Sequence, residues 1–106
     1  MENNKLDPEF KAKWVAALRS GKYKQTTGIL KAFNSVTNEY SYCCLGVAAC
    51  VLGYETLDNK VLTGPQFPEA IRGSAHGNDN VYILTHMNDG QRKSFSEIAD
   101  YIEQNL

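Results

Sequence analysis

Cys43-Cys44-Leu45-Gly46-Val47-Ala48-Ala49-Cys50-Val51-Leu52 is the stretch on which the fold turns. It carries no charged residue and no amide side chain. The run is too long and too rich in alanine for a typical strand, and well short of the roughly 20 apolar residues of a membrane span. A helix without a polar face must be covered on most sides. The stretch therefore predicts a buried helix over 43–52, stopped by Gly53. Gly46 within it costs about 1 kcal/mol relative to alanine, and close approach of another backbone at that point would account for its presence.

Upstream of this helix, Glu39-Tyr40-Ser41-Tyr42 alternates polar with aromatic residues. Asn34-Ser35-Val36-Thr37-Asn38 is rich in turn formers, and Gly28-Ile29-Leu30-Lys31-Ala32-Phe33 is short and apolar. Two β-leaning runs about a polar turn predict a hairpin. Earlier still, Asp7-Pro8-Glu9 reads as a helix start: a capping carboxylate, a proline suited to the first turn, and an acid at the positive end. Phe10, Trp14 and Leu18, with Val15 and Ala17, supply one apolar stripe, and Gly21 follows as a stop, so a helix is expected over 8–19. Residues 1–6 are polar enough to be expected as a flexible terminus.

Downstream, Asp58-Asn59-Lys60 suggests a second small hairpin over 54–63, and Pro65 and Pro68 interrupt regular structure. Pro68-Glu69-Ala70-Ile71 fits one helical turn, and 73–80 reads as a mobile polar loop. Val81-Tyr82-Ile83-Leu84 has the composition of a strand. Asn88-Asp89-Gly90 fits a tight turn. Ser94 and Glu97 form the signature of a capping box, opening a helix with Phe95, Ile98, Ala99 and Ile102 inward to about Gln104. The expectation is one α+β domain over 1–106, a small antiparallel sheet packed against three helices.

Composition narrows the class. With 106 residues, 42% apolar and 22% charged, the chain is sized for one globular core, not for a disordered segment. The net charge of −1 lacks the positive excess of a general nucleic-acid binder. Met1-Glu2-Asn3-Asn4-Lys5 has no apolar signal core, and no membrane association is expected. An odd count of cysteines, two of them adjacent, argues for reduced thiols in a cytosolic protein.

Three chemistries compete. Cys43 and Cys44 stand where a strand meets a helix start, a position that lowers a thiol pKa, and His86 with Asn88 and Asp89 would complete a cysteine hydrolase or transferase. Against this, cysteine in an apolar helix is usually packing. Metal binding is weaker: Cys43, Cys44 and Cys50 form no Cys-x2-Cys knuckle, and His76 and His86 form no i, i+4 pair. No metal, no cofactor and no glycine-rich phosphate loop is expected.

The most suggestive segment is Arg19-Ser20-Gly21-Lys22-Tyr23-Lys24-Gln25-Thr26-Thr27. Its cations can grip a phosphate, and Tyr23 can stack a base or sugar. The competing explanation is that cations after a helix C-terminus complement its dipole. The candidate ligand-binding set is Arg19, Lys22, Tyr23, Lys24 and Gln25, with Tyr40, Tyr42, Asn88 and Asp89 as secondary contacts.

Trp14…Ala17-Leu18-Arg19-Ser20-Gly21-Lys22-Tyr23-Lys24-Gln25…Gly28-Ile29-Leu30, Tyr42-Cys43-Cys44-Leu45-Gly46-Val47, and Met87-Asn88-Asp89…Ser94-Phe95…Ile98-Ala99-Asp100-Tyr101-Ile102-Glu103 together resemble small accessory proteins of tailed bacteriophages. The similarity covers most of the chain outside residues 54–80. It implies no established activity or catalytic residue, but it does imply a setting: a phage product acting in the host bacterial cytoplasm. The expected function is noncatalytic binding that counters host defence by sequestering a nucleotide-like or phosphorylated small ligand. The alternatives are direct inhibition of a host protein and a cysteine-dependent enzyme. A homodimer is expected because small binding proteins often build sites between symmetric subunits.

Overall fold

The computed structural model describes residues 6–54, 67–73 and 78–106. The apolar run forms helix α2, Cys44–Val51, and every residue from Cys44 to Ala49 is buried. Gly46 has a backbone neighbour: a Cβ added there would collide with the carbonyl oxygen of Leu30 and lie 2.9 Å from its carbonyl carbon. Glycine is what lets α2 sit directly against the chain entering the hairpin. The helix ends in a Schellman arrangement with Gly53 at φ +86°. There the Gly53 N–H donates to Cys50 O at 3.0 Å and the Tyr54 N–H to Ala49 O at 3.0 Å.

Helix α1, Pro8–Arg19, begins as its sequence signals: Asp7 Oδ2 accepts from the N–H groups of Glu9 (3.1 Å) and Phe10 (3.2 Å). Phe10, Trp14, Val15 and Leu18 face the core. Trp14 is fully buried and satisfies its one polar atom by donating Nε1–H to Cys44 O at 3.0 Å. Leu6, expected in a flexible terminus, is instead buried, its N–H donating to Leu106 O at 3.1 Å.

The hairpin pairs β1, Lys31–Asn34, with β2, Glu39–Tyr42, in antiparallel register Lys31↔Tyr42 to Asn34↔Glu39. Asn34 shapes the turn by accepting from Val36 N–H (2.9 Å) and Thr37 N–H (3.3 Å), and Asn38 takes φ +59°. On the other edge of β2, Tyr42 N–H donates to Lys24 O at 2.7 Å and Thr26 N–H to Tyr42 O at 2.8 Å. This parallel bridge docks the segment after α1 beside β2.

The second half corrects the sequence reading. Residues 81–84 are not a strand but the body of helix α3, Asp79–Thr85. Val81 and Leu84 are buried three residues apart while Tyr82 is exposed, the spacing of a helix face rather than a pleat. Asn78 caps it, accepting from Asn80 N–H (2.9 Å) and Val81 N–H (3.3 Å), so 78–80 open a helix instead of closing a mobile loop. Residues 74–77 of that loop and 55–66, which include most of the expected second hairpin, lie outside the described residues. The expected helical turn is present as a 3₁₀ turn at Glu69–Ile71.

After α3 the chain passes through one π-helical turn, His86–Gly90, where a tight turn was expected. Helix α4, Phe95–Asn105, carries the expected capping box: Glu97 N–H donates to Ser94 Oγ at 3.2 Å and Ser94 N–H to Glu97 Oε1 at 2.9 Å. Phe95, Ile98, Ala99 and Ile102 are buried. Helix α1 packs on α4 and α2, and α3 on α2. The architecture is α+β: among the described residues, a two-stranded antiparallel sheet with four α-helices rather than the three expected.

Candidate functional site

Helix α1 stops at Ser20, whose Oγ–H donates to Ala17 O at 2.7 Å and accepts from Lys22 N–H at 3.1 Å. Gly21, at φ +78°, then turns the chain back along β2. The turn and the parallel bridge at Tyr42 together open a surface groove of about 560 Å³. It is lined by Gly21, Lys22, Tyr23 and Lys24 from one side and Glu39, Tyr40 and Tyr42 from the other.

Tyrosines form the floor. Tyr23 and Tyr42 meet edge to face with centroids 5.5 Å apart. Tyr40, half exposed, packs on Phe33 at 4.9 Å, and the buried Lys31 holds its ammonium 4.2 Å from the Tyr40 centroid. The Lys22 ammonium stands 5.6 Å from the Tyr23 centroid, and Lys24 Nζ lies 3.4 Å from Glu39 Oε1. Positive charge beside exposed ring surface suits an anionic ligand with a planar part.

The fold brings together Lys22, Tyr23, Lys24, Tyr40 and Tyr42 of the sequence-derived candidates and places the other four elsewhere. Arg19 reaches away to α4, donating to Asp100 and, at 3.1 Å, to Glu103, and these carboxylates raise its pKa. Gln25 donates its side-chain amide to Asn88 Oδ1 (2.9 Å) and Lys93 O (2.8 Å). Asn88 is buried, and its amide is fully engaged. Oδ1 also accepts from Cys44 N–H at 3.3 Å, while Nδ2 donates to Thr26 O (2.8 Å) and Asp89 Oδ1 (2.7 Å). Gln25, Asn88 and Asp89 thus form a bracket behind the groove, tying its inner wall to the start of α2.

The thiols do not have the environment that a helix start suggests. Cys43 and Cys44 are both buried. Burial pushes the Cys43 pKa up to about 11, overriding the nearby N–H groups of Gly46 and Leu45, which favour the thiolate. Burial also raises the Cys44 pKa well above the ordinary thiol value, and its thiol approaches Leu84 O at 3.8 Å. His86 is exposed and stacks on Tyr82 with centroids 6.1 Å apart. Among the described residues, no group of three or more His, Cys, Asp or Glu side chains is placed to hold a metal ion, and no helix is long and apolar enough to cross a membrane.

Glu39 is the groove residue that sequence reasoning missed. It lies fifteen positions from Lys24 and meets it only because residues 24–26 run beside β2.

Fold and groove define an α+β domain with a cationic, tyrosine-lined surface groove. The chain belongs to the family described as Domain of unknown function (DUF8296), which matches residues 6–61, a little over half of the chain. All the residues that line the groove fall inside that span. No curated protein and no solved structure matches the chain.

Proposed function

We propose that this domain is a noncatalytic binding protein that holds a small anionic, nucleotide-like ligand in the groove between residues 21–24 and β2. The observation that carries the reading is the convergence of Lys22 and Lys24 with Tyr23, Tyr40 and Tyr42 on one open groove. The ammonium groups supply phosphate contacts, and the tyrosines supply a surface for a base or sugar. The buried, high-pKa thiols support binding over cysteine catalysis. The resemblance to tailed-phage accessory proteins supports the setting alone, a phage product in the host bacterial cytoplasm; within that setting, the proposed role is to counter defence by sequestering such a ligand.

The test is native mass spectrometry of protein purified from bacteria, before and after exposure to a nucleotide-rich extract. A bound small mass, lost in the Lys22→Ala, Lys24→Ala double variant, is the expected result. A protein that stays bare, or a mass that survives the double variant, overturns the assignment. The same spectra report whether the protein is a homodimer.

The exposed apolar side chains of the hairpin favour a second reading, inhibition of a host protein by direct contact. Phe33, Val36 and Tyr40 are 51%, 92% and 50% exposed. On that reading one macromolecule co-purifies, no small ligand is retained, and the complex is lost when Phe33 and Val36 are replaced by serine.

A further inference from the structure

We propose that Glu39 sets the specificity of the groove, restricting it to ligands with a single negative charge beside a hydrogen-bond donor, as in a cyclic nucleotide or phosphodiester bearing an amino-substituted base. The inference rests on the nucleotide-binding reading above and adds to it a ligand class.

Among the described residues, the charges that line the groove are two cations, Lys22 and Lys24, and one carboxylate, Glu39. The cations are not equivalent. Lys24 Nζ is 3.4 Å from Glu39 Oε1, whereas Lys22 has the Tyr23 ring as its neighbour and no ion-pair partner among the described residues. Lys31 is not a lining residue: it is buried, with its ammonium 4.2 Å from the Tyr40 centroid, where it adds to the positive field behind that ring without offering a direct contact. One phosphate charge can therefore be met by Lys22 without breaking an ion pair among the described residues. A second charge would either face Glu39 or draw Lys24 away from it, and the lost pair offsets the gain. Glu39 Oε2 has no hydrogen-bond partner among the described residues. A carboxylate oxygen can only accept, so it selects a ligand edge carrying N–H groups, such as that of guanine.

The experiment is calorimetric titration of wild type and Glu39→Gln with cyclic guanosine monophosphate and with guanosine 5′-monophosphate at about pH 7.5. There a phosphate monoester, with its second pKa near 6, carries close to two charges, while the cyclic diester carries one. Wild type is expected to bind the cyclic ligand at least as tightly as the monoester. In Glu39→Gln, Lys24 is released, and the monoester should gain roughly fivefold, the scale of one exposed charge pair. The Lys24–Glu39 pair is exposed on both sides, so the variant should stay folded, which circular dichroism checks. Lys24→Gln is the second variant, and it should weaken the monoester more than the cyclic ligand.

If wild type already prefers the monoester by the factor seen in Glu39→Gln, Glu39 sets no charge preference, while the nucleotide-binding reading stands. If neither nucleotide binds wild type or variant, both fall.

Discussion

Gln25 and Asn88, 63 residues apart, are joined by a hydrogen bond of 2.9 Å from the Gln25 amide to Asn88 Oδ1. Asn88 is almost wholly buried, and its remaining bonds reach the backbone of Thr26 and Cys44 and the side chain of Asp89. One amide thus ties together the groove's inner wall, the start of α2 and the π-helical turn.

Asn88→Ala is expected to cost about 3 kcal/mol in urea denaturation, because it leaves buried backbone and side-chain groups unpaired. Asn88→Asp should do no better, since it sets a carboxylate oxygen where an N–H₂ met the Thr26 carbonyl and the Asp89 carboxylate. Were Asn88 a ligand contact alone, both variants would keep wild-type stability.

Gly46→Ala tests the contact between α2 and the hairpin. Intrinsic propensity favours alanine in a helix by about 1 kcal/mol. The added methyl, however, would occupy the space of the Leu30 carbonyl oxygen, which belongs to backbone and cannot rotate aside. Overpacking should dominate, with a net loss of about 3 kcal/mol or more in chemical denaturation. A stabilised variant would show that the two backbones are not in contact.

The thiols supply a pH-dependent test. Cys43 titrates near 11 in the fold, against about 8.5 for a free cysteine. Below the unfolded value both states are protonated and no stability is lost. As pH rises from about 8.5 through the folded value, only the unfolded chain gives up its proton, so stability falls. Replacing Cys43 and Cys44 with alanine should flatten that fall. In native protein near pH 8, both should react with iodoacetamide at least about a hundredfold more slowly than free cysteine. Reaction at the free rate would restore the nucleophilic role.

Local signals were legible where the physics is local. Asp7 and Pro8 start α1, the Ser94–Glu97 box starts α4, and the turn at 34–38 sets the hairpin, because each bond joins groups a few residues apart. The missed element shows the limit. Val81-Tyr82-Ile83-Leu84 has strand composition, but its residues pack Val81 and Leu84 against the core while Asn78 caps the first turn. Weak β propensity yields to tertiary burial of a helix face.

The candidate site divides in the same way. The clustering of cations and tyrosines after α1 and along β2, the burial of α2 and the demand for glycine at Gly46 are all legible in the residues. Which of those side chains share a groove depends on long-range packing. Arg19 leaves it for Asp100 and Glu103, 81 and 84 residues away, Gln25 turns inward to Asn88, and Glu39 enters as the partner of Lys24. The physical reason is that a charge or an amide takes the partner that packing brings within hydrogen-bond reach, and sequence spacing carries no record of such long-range neighbours.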